Sequence, residues 1–219
     1  MAGKKRTLAP QQARSRESLR RLLKAAAEVL GQHGVEGTTI PRIAQHAGLT
    51  PGAVYRRFQD KDALIETVIL GIMERQDQRI RVALTPAMAR QIPLAVFAEQ
   101  LVHSMLVSYR AYAGLLRALR QFVQGRPDTA FYKKIVKLEF RTYRYLVGLF
   151  LEHKKEIKHP QAEKAVSFAL MMLTSALTEL ILVDHNLKNW QAVIPNDERT
   201  LKRELVRAFL SYLGVPQQD

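Results

Sequence analysis

Apolar and polar residues between positions 38 and 61 follow the period of short amphipathic helices, and turn signals divide this stretch in two. The first predicted helix begins after Thr39, a good N-cap residue. It ends at Gly48, which readily adopts the left-handed conformation that terminates a helix. Pro41 fits the first turn, because its missing N–H would have no partner there. One face of this helix carries its apolar residues, Ile40, Ile43, Ala44 and Ala47.

A second short helix is predicted after Thr50, again with a proline, Pro51, at its first position. Val54 and Phe58 lie four residues apart and therefore point to the same, inward side. Two short helices joined by a tight turn predict a helix-turn-helix motif at residues 39–58, whose second helix enters the major groove of DNA. The outward side of that helix is small or polar and consists of Thr50, Pro51, Gly52, Ala53, Tyr55 and Arg56.

The rest of the chain also has a helical pattern. An amphipathic helix precedes the motif, from residue 15 or 16 to residue 31. A long helix follows the motif, capped by Asp60 and running toward Leu84. Since no segment alternates with period two, we predict an all-α protein. Beyond two proline interruptions, further helices are predicted over residues 94–112, 114–123, 128–155, 161–186 and 197–213.

This pattern divides the chain into a three-helix DNA-binding domain and a larger helical domain. The predicted boundaries are residues 1–15 for a flexible basic arm, 16–76 for the DNA-binding domain and 77–219 for the second domain. Two interpretations of the arm stay open, namely contact with the DNA backbone or minor groove, and a solvated tail without ordered contacts.

Positive charge is concentrated near the N-terminus. The chain of 219 residues has a formal net charge of +14. Residues 1–61 contain 12 Lys/Arg against 4 Asp/Glu, whereas residues 62–219 contain 22 against 16. A concentrated basic block suits a polyanion, because each phosphate that it neutralises releases condensed counterions.

Several classes of chemistry find no support in the sequence. Cysteine is absent, which excludes disulfides and thiolate catalysis. No apolar run follows the basic N-terminal residues, so we expect no signal peptide. The most apolar stretch, Phe168 to Val183, contains polar residues and is too short to span a bilayer. We expect a cytoplasmic location, which the absence of cysteine fits. The six histidines form no i,i+4 pair, and neither a P-loop nor a nucleophile elbow is found. We therefore predict no enzyme activity, no catalytic residue, no metal site and no cofactor.

The stretch from Arg16 to Gln76 resembles the DNA-binding domain of TetR-family transcriptional regulators. Two departures bear on which bases are read: Pro51 replaces a more usual basic or polar residue, and Arg56-Arg57 replace an aromatic or His pair. The resemblance implies a homodimeric repressor that a small-molecule effector, bound by residues 77–219, releases from a pseudo-palindromic operator in double-stranded DNA. It is carried by Gly34, Thr38, Thr39, Ile43, Ala44, Ala47, Gly48, Leu49, Thr50, Gly52, Ala53, Tyr55, Phe58, Lys61 and Leu64.

The predicted DNA contacts combine the outward face with flanking residues. Backbone N–H groups at the start of the second helix suit a phosphate oxygen, and Arg56 suits a bidentate contact with guanine. The resemblance implies phosphate contacts for Tyr55 and Lys61. The full set of candidates is Thr39, Arg42, Thr50, Pro51, Gly52, Ala53, Tyr55, Arg56 and Lys61.

The resemblance also implies an effector pocket among the middle helices of the second domain. Packing in the protein core is the alternative explanation for aromatic and methionine residues at helical spacing. The candidate pocket residues are His103, Tyr109, Tyr112, Leu116, Phe122, Phe140, Tyr143, Met171 and Met172.

The last two helices are apolar on nearly all sides, which predicts burial on nearly all sides. A four-helix interface between two copies would provide it, and the alternative is burial inside one thick subunit. The predicted interface residues are Val166, Leu170, Leu173, Leu177, Ile181, Leu201, Leu205 and Tyr212.

A different function is compatible with the same fold. The second domain of such a DNA-binding protein would dock a protein partner instead of a small ligand. A large internal cavity would favour the small ligand, whereas a filled core beside an exposed apolar patch would favour the partner.

Overall fold

The structure, a computed structural model, describes residues 9–183, 195 and 197–216, and every regular element within these ranges is helical. A π-helical turn, Thr178–Leu182, continues the ninth helix. The prediction of an all-α protein is confirmed for the described residues. In chain order the α-helices are α1 Ala9–Gly37, α2 Ile40–Ala47, α3 Pro51–Tyr55, α4 Lys61–Ala83, α5 Pro86–Gln91, α6 Leu94–Ala111, α7 Ala113–Gln124, α8 Ala130–Leu151, α9 Ala162–Leu177 and α10 Glu198–Tyr212.

Helices α1, α2 and α3 pack with the first half of α4 around a small apolar core. The Thr39 hydroxyl accepts a hydrogen bond from the Arg42 backbone N–H and caps α2. Gly48 ends α2 in the left-handed conformation, with φ 64° and ψ 39°. Thr50 caps α3 in the same way, accepting from the Ala53 N–H at 3.3 Å. The buried residues of this core are Leu22, Ala25, Ala26, Val29, Ile40, Ile43, Ala44, Ala47, Val54, Leu64 and Val68.

Helix α1 begins earlier than the sequence pattern predicts. The predicted arm spans residues 1–15, but α1 starts at Ala9, so residues 9–15 are helical. Pro10 lies in the first turn, where its missing N–H costs nothing, and good helix formers follow it. The part of the arm before Ala9 lies outside the described residues. At its other end α1 continues to Gly37, with a kink at Gly34, whose φ is 65°.

Helix α4 joins the two domains as one continuous helix of 23 residues. Its first turn is capped by Asp60, whose Oδ1 accepts from the Ala63 N–H at 2.7 Å. Ile65 and Ile69 on α4 leave the first core and pack in a second cluster with Phe122 and other residues of α1, α7 and α8. The boundary predicted after residue 76 therefore lies inside a helix that both domains share.

A buried carboxylate fastens α4 to α8. Asp77 is only 3% exposed. It accepts from Arg81 Nε at 3.0 Å, Arg141 Nη2 at 2.8 Å and the Thr142 hydroxyl at 2.7 Å. Burial raises the pKa of Asp77, but hydrogen bonds from Arg81 and Thr142 and the charges of both arginines lower the pKa by more. The pKa of this carboxyl therefore lies below its usual value, and its charged form stabilises the contact between the two helices.

Helices α6, α8, α9 and α10 enclose the largest core. The ring of Phe97 meets Phe150 edge-on at 4.9 Å between centroids, and Phe209 lies 5.1 Å from Phe150 on the other side. The stretch Ala162–Leu182 is long and apolar enough to cross a membrane by length and composition. Its inner side is buried in this core, as is typical of the central helix of a folded domain.

Candidate functional site

Helix α3 offers the candidate surface for nucleic acid. Its one fully buried residue is Val54, and Phe58 after it packs half-buried against the first core. Nothing lies within 4 Å of the position where Gly52 would carry a Cβ, so a ligand can approach the backbone there. We call the exposed side of α3 the recognition surface, and it consists of Thr50, Pro51, Gly52, Tyr55 and Arg56.

Tyr55 and Arg56 are the long polar side chains of the recognition surface. Tyr55 is 57% exposed. Arg56 follows the last residue of α3 in a right-handed helical conformation, with φ −66° and ψ −17°. Since neither side chain hydrogen-bonds within the described part of the chain, both keep their donors for a ligand. Ala53, also a candidate, is half-buried beside them.

The neighbouring Arg57 has a structural contact that the sequence pattern does not predict. Its guanidinium donates to the Ser18 hydroxyl at 3.2 Å, and to the carbonyl and hydroxyl of Ser15 at 3.3 and 3.2 Å. Arg57 therefore holds the N-terminal part of α1 against the end of α3, whereas Arg56 makes no such contact with the described residues.

Three of the predicted DNA-contacting residues outside α3 have partners within the domain. Thr39 is used as the cap of α2. Arg42 donates to the Gly37 carbonyl, and the Lys61 ammonium donates to the Val35 carbonyl at 3.2 Å. Both carbonyls belong to the last turns of α1, so these cations also fix α1 against α2 and α4. Arg42, Lys61 and the Thr39 hydroxyl each retain further donors for a phosphate.

A second candidate site is a cavity of about 630 Å³ in the second domain. It lies among α4, α6, α7, α8 and α9, and a chamber of about 450 Å³ with six of the same lining residues adjoins it. Cavities of this size hold drug-sized ligands. We call the larger space the ligand cavity, and it is lined by Ile72, Met73, Gln76, Asp77, Tyr109, Leu116, Leu119, Val136, Leu138, Glu139, Phe140, Thr142, Tyr143, Leu146 and Thr174.

The structure brings only part of the predicted pocket together. Tyr109, Leu116, Phe140 and Tyr143 line the ligand cavity. The remaining predicted residues lie elsewhere because helix contacts, which the sequence period does not specify, decide which side of each helix faces the cavity. Phe122 is buried in the second core cluster, Met172 is half-buried outside the cavity, and His103, Tyr112 and Met171 are exposed.

Two acidic residues of the cavity, Asp77 and Glu139, are absent from the sequence prediction. Asp77 is paired with arginines as described above. Glu139 is an exposed residue that makes no hydrogen bond or ion pair with another described residue, and the partial desolvation of its carboxyl raises its pKa. Burial also raises the pKa of Tyr109, against a smaller lowering by its hydrogen bond with Thr178. The length of α4 is the sequence signal that could have placed its second half at this site.

Most residues of the predicted dimer stripe lie inside the subunit. Val166, Leu170, Leu173 and Leu177 on α9, and Leu201 on α10, are buried inside the subunit. These residues fill the core of a single subunit, because α9 packs its inner side on α6, α8 and α10. Ile181 and Leu205 are half-buried against the same core, and Tyr212 alone of the predicted set is exposed.

A different side of α9 and α10 is left open. Phe168 and Met171 are 43% and 49% exposed. The ring of Phe168 lies 5.4 Å from that of Tyr212, and His159 lies 5.5 Å from Tyr212 on its other side. We call Phe168, Met171 and Tyr212 the outer apolar face. It is a small patch of large apolar side chains, the kind of surface on which protein–protein contacts form.

Comparison with known sequences finds similar proteins for the first domain. The sequence pattern of the family described as bacterial regulatory proteins, tetR family, matches residues 22–68. The HTH-type transcriptional regulator UidR of Escherichia coli K12 is 34% identical over 61 residues, 28% of this chain and 31% of UidR. The uncharacterized HTH-type transcriptional regulator TtgW of Pseudomonas putida is 39% identical over 57 residues, 26% of this chain and 42% of TtgW. The match thus spans about a third of the length of the first of these relatives.

Solved structures extend the likeness to the whole fold. A structure assigned to a TetR-family transcriptional regulator of Mesorhizobium loti has a TM-score of 0.71 at 19% identity, covering 92% of this chain and 97% of that one. The transcriptional regulator FadR of Bacillus subtilis, in complex with stearoyl-CoA, has a TM-score of 0.58 at 16% identity, covering 90% and 96%. At such identities the likeness concerns the fold.

Proposed function

We propose that this chain is a DNA-binding transcriptional regulator of the TetR family, because the sequence pattern of that family matches residues 22–68 in its N-terminal domain. It acts in the cytoplasm as a dimeric repressor on a pseudo-palindromic operator, and a small molecule in the ligand cavity releases it. One observation carries this proposal: the exposed side of α3 leaves its backbone open to a ligand at Gly52.

The recognition surface has the chemistry that a major groove requires. Gly52 lets the backbone approach closely, and Arg56 offers a planar fork that matches the two acceptors of guanine. The hydroxyl of Tyr55 and the ammonium of Lys61 suit phosphates beside the groove. Because Val54 is pinned in the core, α3 cannot turn this face inward without exposing an apolar side chain.

Dimerisation uses the outer apolar face rather than the stripe predicted from the sequence. Two copies that cover Phe168, Met171 and Tyr212 with one another remove this patch from water. An isologous pair of this kind also relates the two recognition surfaces by a two-fold axis, as a pseudo-palindromic site requires.

A close contact between α1 and α7 supports communication between cavity and DNA. A Cβ on Gly114 would lie 2.2 Å from the Gly31 carbonyl oxygen, so the backbones of the two helices touch there. Leu116 and Leu119, on the same helix as Gly114, line the ligand cavity. A ligand that displaces α7 therefore displaces α1, and with it the recognition surface that Arg57 fastens to α1.

Arg126 forms a second link between the domains. It donates to the Asp62 carboxylate in the first turn of α4, and its guanidinium lies 3.5 Å from the ring centre of Phe122 on α7. A ligand changes operator affinity only if it binds one arrangement of these helices more tightly than the other. The cavity between α4 and α7 supports a small ligand rather than a docked protein as the signal.

Selection of bound sequences from random DNA tests the proposal. We expect two symmetric half-sites about 34–36 Å apart between centres. Arg56→Ala should relax the preference at one base pair in each half-site, by about 1–3 kcal/mol. Arg144→Ala removes another exposed arginine, on α8, and should leave the preference unchanged. Absence of any enriched sequence from the parent protein would refute the assignment.

A further inference from the structure

A basic groove runs along the surface between α4 and α8. The two helices are parallel, because the contacts between them advance together. Asp77 accepts from the Thr142 hydroxyl at 2.7 Å, and further along the Leu84 carbonyl accepts from the Tyr145 hydroxyl at 2.6 Å. The space beside this contact has a volume of about 680 Å³. We call it the basic groove, after the cations on its α8 side, Lys134, Lys137, Arg141 and Arg144.

One side of α8 carries positive charge without acidic residues between. The cations of the basic groove follow one another after three, four and three residues, so they share one side of the helix. Lys133, one turn before Lys137, adds another exposed cation to this side. Like charges at such spacing destabilise a helix, whereas on α1 the exposed Arg20 is paired with Glu17. The stability of α8 therefore does not account for this arrangement, and an acidic partner does.

The cations of the basic groove lack acidic partners, apart from Arg141, which Asp77 holds at 2.8 Å. Lys134, Lys137 and Arg144 form no ion pair with a described residue. Glu74, the acidic residue among those that line the groove, is not paired with them either. An occupant that brings carboxylates would form charge-assisted hydrogen bonds that the subunit leaves unmade.

The floor of the basic groove is apolar. Leu138 is buried there, Leu70 is half-buried, and Phe140 is 60% exposed. The guanidinium of Arg144 lies 5.9 Å from the ring centre of Phe140. Exposed aromatic rings and arginines are the residue types enriched where proteins meet. A sugar–phosphate backbone has no apolar side chains to cover such a floor, whereas an amphipathic helix has them. These observations favour a polypeptide over nucleic acid as the occupant.

The length of the basic groove suits a short helix. Lys134 and Arg144 are ten positions apart on α8, which corresponds to about 15 Å. About three turns of a second helix span this distance. Carboxylates three or four residues apart on that helix would reach successive cations, and the apolar residues beside them would face the floor.

We propose that the basic groove docks an acidic amphipathic helix of a partner protein. Its carboxylates pair with Lys134, Lys137 and Arg144, and its apolar stripe covers Leu70 and Phe140. This inference goes beyond the proposed function. The docked helix is a second partner of the regulator, and the small molecule in the ligand cavity stays the signal for release from DNA.

A matched pair of synthetic peptides tests the inference. The first is a labelled helical peptide of about 14 residues, four turns, with leucines at every third or fourth position and glutamates beside them. The second has glutamine in place of every glutamate. Fluorescence anisotropy measures their binding to the full-length protein. We expect the glutamate peptide to bind about tenfold more tightly, because only its charges complete the ion pairs. The difference should shrink at high salt.

Substitutions on α8 show where the peptide binds. Lys137→Glu combined with Arg144→Glu, the groove variant, should weaken the glutamate peptide by about tenfold or more, because it replaces attraction by repulsion. Arg199→Glu combined with Arg203→Glu makes the same change in net charge at exposed positions of α10 and should alter binding by less than about twofold. Phe140→Ala should weaken the peptide about fivefold through loss of the floor.

Thermal unfolding checks the folding of each variant. Lys137→Gln combined with Arg144→Gln removes the two charges without reversing them and should weaken the glutamate peptide about threefold. This milder variant keeps the inference testable if the groove variant does not fold. Random-sequence duplex DNA, measured in the same assay, represents the competing occupant.

The inference is overturned if the parent protein does not bind the glutamate peptide or binds both peptides equally. It is also overturned if the groove variant binds the peptide as the α10 variant does, or if the groove variant loses affinity for DNA and not for the peptide. Selection of operator sequences is a separate measurement. An enriched operator without peptide binding refutes only the docking site, whereas peptide binding without any enriched DNA sequence refutes only the proposed function.

Discussion

The two domains differ in how their exposed functional surfaces arise. In the first domain, α2 and α3 are each bounded by a threonine N-cap, and α2 ends at a left-handed glycine. The residues that bound these helices also determine which side chains face outward. In the second domain, the ligand cavity takes residues from five helices, separated by up to about a hundred positions. No local signal marks which side of each of those helices faces the space.

This difference explains which exposed residues the sequence pattern predicts and which it does not. A short capped helix has one apolar side, so its remaining residues must be outside. Helix α9 is apolar on several sides, and only its neighbours decide that Val166 is inside and Met171 outside. The predicted stripe and the outer apolar face are both compatible with the same helical period. Three kinds of substitution test this comparison. They change the contact between α1 and α7, the outer apolar face, and the clamp that Asp77 forms between α4 and α8.

The largest effect is expected at the crossing of α1 and α7. Gly114→Ala places a Cβ against the Gly31 carbonyl, a backbone atom that cannot rotate away. We expect the free energy of unfolding to fall by about 3 kcal/mol, the upper part of the usual range for overpacking. Urea unfolding at pH 7 measures it.

Gly148→Ala is the matched control for that change. Gly148 lies within α8, and a Cβ there would meet nothing within 4 Å. Alanine should therefore stabilise the helix by about 0.5–1 kcal/mol. If Gly148→Ala lost stability and Gly114→Ala did not, the close approach of α1 and α7 would not be what excludes a side chain at Gly114.

A smaller but clear effect is expected for assembly. Met171→Glu places a charge in the outer apolar face and should weaken self-association by about 2 kcal/mol, as loss of a central interface residue does. Sedimentation at several protein concentrations measures it. Val82→Glu changes an isolated valine on α4 that is 82% exposed, and should leave association unchanged. A parent protein that is monomeric, or a variant that associates like it, contradicts the role of this face.

The clamp at Asp77 should contribute less, because its arginines are 36% and 54% exposed and recover water when the carboxylate is lost. We expect Asp77→Asn to lower the free energy of unfolding by about 1–2 kcal/mol at pH 7. The pKa of Asp77 is lower in the folded state, so its stabilisation is present above the unfolded pKa of about 3.9. It is lost as the pH falls through the folded pKa.

The same experiment at several pH values checks the sign. The difference in unfolding free energy between the parent and Asp77→Asn should shrink as the pH falls below about 3.9. Glu99→Gln breaks a surface pair with Lys202 and should change stability by less than about 0.5 kcal/mol. A difference for Asp77→Asn that stays constant down to acid pH would mean that its ionised form contributes nothing.

Several elements of the second domain depart from what the sequence pattern predicts. The prolines Pro86 and Pro93 were expected only to interrupt the pattern, yet they bound a short helix, α5, capped by the Thr85 hydroxyl. The helix predicted to run from residue 161 to 186 instead passes into a π-helical turn at Thr178. In both places tertiary packing decides the local geometry. Helix α5 has six residues and the π-helical turn has five, and segments this short have too weak an intrinsic helix preference to form by themselves.

The amino-acid sequence alone determined the helical class, the position of the helix-turn-helix and the outward set on α3, because caps, a turn glycine and one apolar side act over neighbouring residues. Only the tertiary structure decided that Arg57 fastens α1, that Glu139 lines a cavity, and that Phe168 and Met171 remain outside. These properties depend on which helices meet, and contacts between residues far apart in sequence leave no periodic trace in the chain.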